Sequence, residues 1–505
     1  MPLTRLQFKP GINREITSYA NEGGWFDCDK VRFYLGSPEK IGGWEKYSAS
    51  AYQGTARSLH NWSALDGSQF LGVGTHLKYY IEEGGSYNDV TPLRDTTSAG
   101  DVTFSATNTS SIITVFDTSH GAIVGDFVTF SGAASLGGNI GPAVLNKEHQ
   151  IVSIVDANTY TINVSTFVAN SSDTGNGGSS VVGAYQVNTG LNVGVCGPGW
   201  GAGLFGGVTN NALTNTLNGN INNSVTTLTL TSASSFPSSG TVLIGTELIS
   251  YSGKSTNDLT GLTRGTSGTT AAAHNSGDTV RLAVGNTDPD DDFTGWGIGA
   301  ASSVAPQSEL RIWTHDNFGE DLLINVRDGA IYYWDKTNGL STRAVEISTL
   351  AGANNVPTVA KQVLVSDRDR HVLAFGCNPQ GSTTQDNLLI RFSDQESFTD
   401  WEARSDNTAG DLRLGAGSTF VRAIETKREI LVWTDRSLHS MQFIGDPFTF
   451  GIQQLSANIS IISQNAVAST EDFVVWMGFD NFYIYGGRTM QMPCPVKDKV
   501  FLDLN

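Results

Sequence analysis

The chain has 505 residues, of which 39% are hydrophobic and 57 are glycine, and its formal net charge is −18. That length allows several domains or one large repeat architecture, and that hydrophobic fraction can bury a sizeable core. With 49 Asp and Glu against 31 Lys and Arg, a surface that grips nucleic acid all over is excluded, because such binding needs cations to neutralise phosphates; a wall that repels a phosphate backbone and lets it slide is not.

The first 48 residues open as a Pro- and Gly-punctuated arm. In it Lys30–Tyr34 and Glu39–Trp44 flank Gly36-Ser37-Pro38 and predict a hairpin. Strands are expected next at Ala56–Trp62, Gln69–Thr75 and Leu77–Glu82, separated by Leu65-Asp66-Gly67-Ser68 and Glu83-Gly84-Gly85-Ser86. From about residue 96 aromatics thin out and Thr, Ser, Gly and Asn rise. Ile112–Phe116, Phe127–Ser131, Gln150–Val155 and Tyr160–Val164 predict one small β-barrel or sandwich module over 96–196. Thr226–Leu230, Gly240–Ile244, Glu247–Ser252 and Asp258–Thr263 predict a second over 224–286. Between them a Gly/Trp-rich connection, 197–223, carries GPGWGAGLFGG, and GWGIGA follows at Gly295–Ala300. The two Trp-Gly segments read as one connection interrupted by the second module, since loop tips tolerate insertion best.

The strand theme returns over 287–505. Leu310–Thr314, Asp321–Val326 and Ala330–Trp334 form one group, Val363–Ser366 and His371–Phe375 begin another, and Ala466–Ser469, Phe473–Gly478 and Asn481–Tyr485 form a last one. Leu388–Phe443 is expected to be one four-stranded unit: Leu388–Phe392, Phe420–Glu425, Glu429–Trp433 and Leu438–Phe443. Units of ~35–45 residues, each a strand, an acidic turn, a strand ending in an aromatic and a further strand, are propeller-sized. The expected fold is therefore all-β, a β-propeller-like body of roughly four to six blades with two small inserted β-barrel/sandwich modules.

No catalytic constellation emerges. The four cysteines, Cys28, Cys196, Cys377 and Cys494, are far apart with no CxxC spacing, which suits free thiols formed in a reducing cytoplasm. The eight histidines have no HxH or HExxH spacing and read as structural or surface residues. Asp288, Asp290, Asp291 and Asp292 lack the downstream Glu of a calcium loop and read as a solvated acidic segment. Ser393–Trp401 (SDQESFTDW) invites comparison with the Asp-box turn of sialidase propellers, but a sialidase also needs clustered arginines, and along the sequence none cluster. Tyr79-Tyr80 and Tyr332-Tyr333-Trp334 are expected to pack the blades rather than stack on sugars. No run approaches the about 18 apolar residues of a membrane span, and no cofactor, metal or catalytic residue is expected, so the chain is expected not to be an enzyme.

Several strings resemble the tail nozzle (tail hub, or packaged-DNA stabilisation) proteins of short-tailed phages: FKPGINRE (Phe8–Glu15), WFDCDKVRFYLGSPEKIGGW (Trp25–Trp44), RIWTHDNFGEDLL (Arg311–Leu323), RFSDQESFTDW (Arg391–Trp401), AGDLRLG (Ala409–Gly415), ILVWTDRSLHSMQFIGDPFTFG (Ile430–Gly451) and CPVKDKVFLDLN (Cys494–Asn505). The resemblance spans roughly 1–95 and 295–505. It implies a virion protein, assembled in the host cytoplasm as a homo-hexameric ring below phage adaptor and portal proteins. Such a ring meets tail fibre or spike proteins and forms the distal channel through which double-stranded DNA passes without sequence specificity. In that setting Phe443, Phe448 and Phe450, in FIGDPFTF, are the candidate gate or intersubunit loop. The alternative is a glycan-recognising, hydrolytic or non-hydrolytic, receptor-binding propeller of a virion, which would carry paired carboxylates in a pocket on its axis.

Overall fold

The computed structural model describes residues 8–17, 19–190, 214–234, 236–266, 269–282, 310–445 and 447–503. The chain divides into two compact units, one of residues 1–192 and 311–505 and one of residues 193–310. The fold is all-β.

Among the described residues the first unit contains five four-stranded antiparallel sheets, each a meander in chain order. They run over Ala56–Asp89, Trp313–Glu346, Gln362–Arg413, Phe420–Ser456 and Val467–Gln491. Their middle strands are apolar runs, not alternations, because both faces are covered: His371–Phe375 and Ile430–Thr434 are buried along their whole length. Neighbouring sheets share cores. Trp62, Tyr79, Trp313 and Trp334 fill the joint between the first and second sheets. Leu323, Ile331, Val363 and Val365 fill the next joint, Leu373, Phe375, Phe420 and Val432 the third, and Trp433, Trp476 and Tyr483 the fourth.

The fifth sheet meets the first differently. Asn465 Nδ2 donates to the Arg57 carbonyl at 3.0 Å, and no apolar core spans this seam among the described residues. Leu59, on the first strand of the first sheet, stays 64% exposed. Nearby, the Arg14 amide of the arm donates to the Pro495 carbonyl.

The expected strands are largely present, but their grouping shifts by one. Leu389–Phe392 does not open the unit predicted over Leu388–Phe443. It pairs with His371–Phe375, and Gly410–Arg413 closes that third sheet. The fourth sheet is then completed by Phe450–Ser456. Gly410–Arg413 reads GDLR, an edge strand whose charges and glycine carry little β signal. The arm hairpin pairs Val31–Tyr34 with Ser37–Lys40, and its turn is Leu35-Gly36 instead of Gly36-Ser37-Pro38. Both turn residues have positive φ, +47° and +84°, as the two-residue turn that matches strand twist requires.

The first inserted module is one seven-stranded sheet wrapped on a core that includes Phe104, Phe130, Ile151 and Tyr160. It starts with Leu93–Thr96, slightly before the expected boundary. Its two edge strands, Leu93–Thr96 and Thr103–Ala106, do not pair with each other, so it is not a closed barrel. Lys78 fastens it to the first sheet: the buried ammonium donates to Asp89 (2.8 Å) and to Glu148 of the module (2.6 Å). Arg343 adds a second cation 3.2 Å from Asp89. Burial works against the Asp89 carboxylate, but Arg343 and Lys78 outweigh it and hold its pKa below the ordinary value.

The second unit is a sandwich of a four-stranded and a three-stranded sheet closed on Leu228, Phe236, Ile244 and Leu259. It begins earlier than residue 224, since Thr214–Thr216 pairs with Thr279–Leu282. Among its described residues one carboxylate is buried, Glu247, gripped by Arg264 through two 2.8 Å bonds, by His274 at 2.8 Å, and by the amides of Gly265 and Ala272. The GPGWGAGLFGG, GWGIGA and Asp288–Asp292 segments, and Cys196, lie outside the described residues. Cys28, Cys377 and Cys494 are free thiols.

Candidate functional site

The first strands of four sheets, together with Asn465 just ahead of the fifth sheet, line one cavity of about 430 Å³. This is the size range of small-molecule sites. Side chains, rather than a backbone ladder, tie each of these strands to the next. Between the first and second sheets, His60 Nε2 meets Asn317 Oδ1 at 2.7 Å, and Tyr79 Oη meets His315 Nδ1 at 2.9 Å. Between the second and third, Thr314 Oγ1 accepts from the Val363 amide and Asp316 Oδ2 from the Val365 amide. Between the third and fourth, Gln362 pairs both ways with the Ala423 backbone, at 2.8 and 2.9 Å. Asn465 Nδ2 in turn donates to the Arg57 carbonyl of the first strand.

Two arginines reach this cavity, and each sits at an irregularity in its strand. The pairing of the first sheet skips Arg57, between Ala56 and Ser58. The pairing of the fourth sheet skips Val421, immediately before Arg422. A β-bulge of this kind re-aims the neighbouring side chain. Arg422 Nε is buried without a hydrogen-bond partner among the described residues, as is the Ser58 hydroxyl.

The titratable groups here are displaced by burial. Asp316 is pushed up to about 7; Asp367 and Glu425 reinforce the shift, and the N–H groups of Val365 and Asn317 oppose it. Burial also raises Glu425, against bonds from the Asp367 amide and the Ser366 hydroxyl. His60 and His315 stack at 4.8 Å, and burial holds both below the ordinary histidine value, His315 strongly. The pair is therefore neutral at pH 7. Burial lowers Arg422, while Asp316 pulls it back up. The result is a polar pocket with two cationic side chains, two carboxyl groups and a neutral histidine stack.

The aromatic candidates fall elsewhere. Phe450 is buried at 2% exposure, packed at 5.0 Å from Phe392 and 5.2 Å from His371. Phe443 faces it across the hairpin at 5.6 Å. Of the three, Phe448 projects furthest, 71% exposed, beside Ile444 at 57%. The trio thus runs from buried Phe450 through Phe443, 37% exposed, to exposed Phe448. Tyr79, Tyr80, Tyr332 and Trp334 are buried in the sheets. Ser393–Trp401 is a structural turn in which Asp394 accepts from Thr408 and Trp401 is buried. A second cavity of about 270 Å³ lies beside Arg391, whose guanidinium is occupied by the carbonyls of Asn355 (2.6 Å) and Trp401 (3.0 Å). Among the described residues no group of three or more His, Cys, Asp or Glu is placed to hold a metal ion, and no helix is long and apolar enough to cross a membrane.

The sequence reading missed the two cavity arginines, which lie 365 positions apart and line one cavity only in the folded chain.

No family model matches the chain and no curated protein matches it. Among solved structures, similarity extends to the endosialidase of phage phi92, at 9% identity over 87% of this chain and 55% of that chain, with a TM-score of 0.22. It extends to the extracellular domain of a B. thetaiotaomicron protein described as a hybrid two component system, at 10% identity over 92% and 57%, TM-score 0.24. It also extends to PorZ, a bacterial surface component of the type-IX secretion system of Porphyromonas gingivalis, at 10% identity over 83% and 55%, TM-score 0.23. The chain spans little more than half the length of each. Similarity at this level carries no argument about function.

Proposed function

We propose that this chain is a structural subunit of a short-tailed phage tail, a nozzle or hub protein that assembles into a ring around the DNA channel and acts without catalysis. The observation that carries the reading is the arm. Over residues 19–47 it leaves Tyr19 (96%), Tyr34 (59%), Leu35 (88%), Ile41 (54%), Trp44 (104%) and Tyr47 (73%) exposed. Such a density of large apolar side chains in solvent marks a surface meant to be covered. Leu35 is held at φ +47° on the tip of the hairpin, a conformation that costs a non-glycine residue about 1 kcal/mol. The two most N-terminal strings that resemble nozzle proteins lie in this arm. The occupant of the exposed surface in this reading is a second copy of the chain.

Two further features support a channel made between copies. The axial cavity of one chain, about 430 Å³, has no room for a duplex whose major groove alone is about 12 Å wide. The net charge of −18 suits a wall that DNA slides past. The test is the mass of the purified chain in solution and its image on a grid, alone and with its adaptor–portal complex. A six-fold ring with a hole wide enough for duplex DNA, lost on Trp44→Ser with Tyr19→Ser, is expected. A stable monomer that ignores the complex refutes the reading.

One observation favours a second reading, a glycan-recognising virion module. The axial cavity brings together two arginines and two carboxyl groups, Asp316 and Glu425, in the position where such a module would hold its ligand. Glycan-array binding by the purified chain tests it.

A further inference from the structure

Arg57 and Arg422 stand out because the fold distorts two separate strands to aim them at one place. Each lies at a bulge in a different sheet, and both line the axial cavity. A guanidinium brought out of water normally finds a carboxylate or a set of carbonyls. Arg391 does so nearby, with its carbonyl acceptors. Arg422 leaves its buried Nε without a partner among the described residues. The carboxylate whose charge it feels, Asp316, already accepts from the Val365 and Asn317 amides, one on each oxygen. A buried donor left unpaired is costly, and a planar donor fork is matched best by a carboxylate bound through two parallel hydrogen bonds.

The remainder of the wall is suited to hydroxyl groups. The Ser58 hydroxyl is buried and unpaired, and Glu425 and Asn465 open onto the same space, with Trp313 as an apolar face. The volume, about 430 Å³, accommodates a single sugar ring and no polymer.

We propose that the axial cavity binds a carboxylate-bearing, polyhydroxylated ligand of monosaccharide size, an acidic sugar, with its carboxylate on Arg422 and Arg57. The proposal rests on the recognition reading above and narrows it to an acid; a ring-forming structural subunit could carry the same site. The ligand is either a free sugar acid or the acidic end of a surface glycan, and the two share this chemistry.

The experiment is calorimetric titration of the full chain with glucuronate, with glucose, and with an oligosaccharide ending in glucuronate. Glucuronate should bind at least about tenfold more tightly than glucose, the loss expected when a hydrogen bond to a charged group is forfeited. Arg422→Gln should bring glucuronate down to the glucose level, and Arg57→Gln provides the same test if the first variant does not fold. Oligosaccharide binding equal to that of the free acid assigns the site to a glycan end, whereas binding of the free acid alone assigns it to a small molecule; both support the proposal. Equal affinity for glucose and glucuronate overturns the acid requirement and leaves glycan recognition standing. Absence of saturable binding by all three overturns both. Undiminished glucuronate binding in both folded variants places the ligand elsewhere and also overturns the proposal.

Discussion

Replacing Asp316 by Asn removes a titration that burial has carried into the neutral range. The carboxyl is moved from 3.8 to about 7, mainly by burial. Because the folded value lies above the unfolded one, the native state keeps the proton longer. The stability this provides is fully present below about pH 3.8 and is lost as pH rises through about 7. A shift of roughly three units corresponds to at most about 4 kcal/mol, at 1.36 kcal/mol per unit. Between pH 5 and pH 8 the portion lost is about 2.5 kcal/mol. Asp316→Asn abolishes this slope. It also gives up one acceptor, since the Val365 and Asn317 amides each use a separate oxygen, which adds a pH-independent penalty of about 1–3 kcal/mol. Urea unfolding followed by tryptophan fluorescence, with Trp313 lining the same cavity, reads both quantities. Wild type should lose about 2.5 kcal/mol more than the variant between pH 5 and pH 8. Parallel stability profiles for the two proteins would refute the argument that burial holds the proton on Asp316.

Lys78→Met leaves Asp89 and Glu148 with Arg343 alone; breaking a buried ion cluster from one side costs about 3–5 kcal/mol. Hydrogen exchange should quicken first in the Leu93–Gln186 module, and unchanged protection there would contradict the fastening role. In the second unit, burial opposes Glu247 but Arg264, the Ala272 amide and His274 outweigh it and bring its pKa to about 2. Its stabilising effect is therefore present above about pH 4.5 and fades as pH falls toward 2, and Glu247→Gln should speed exchange across 214–282 at pH 7, leaving the profile of the five sheets in place. Phe450→Ala empties a packed aromatic site and should cost about 3–5 kcal/mol, whereas Phe448→Ser, at an exposed tip, should stay within about 0.5 kcal/mol; equal losses in unfolding experiments would mean that the tip is packed after all.

Strand existence was legible and strand partnership was not. Ile430–Thr434 and His371–Phe375 are apolar runs bounded by turn residues, and they fall where the pattern places them. Gly410–Arg413 was invisible because an edge strand with one covered flank needs no apolar run, and missing it moved Leu389–Phe392 into the wrong sheet. The Leu35 turn escaped for a different reason: a leucine at positive φ goes against the residue's own preference. The axial pocket could not be read at all. Arg57, Asp316 and Arg422 come to one cavity from three different sheets, and the bulges beside the arginines leave no signature in hydrophobic periodicity. Of the aromatic trio, the register of the hairpin placed Phe450 in the core and left Phe448 outside it, which no pattern in FIGDPFTF indicates.

The seam between the fifth and first sheets differs from the other joints in what fills it. Four joints are filled with Trp, Phe, Leu and Val, and parting any of them would bring large apolar area into water. At the fifth position the described contacts include the Asn465–Arg57 bond, worth about 0.5–1.5 kcal/mol, and no apolar core spans it among the described residues. Apolar packing is therefore unevenly shared among the five sheets, with four filled joints and one polar one.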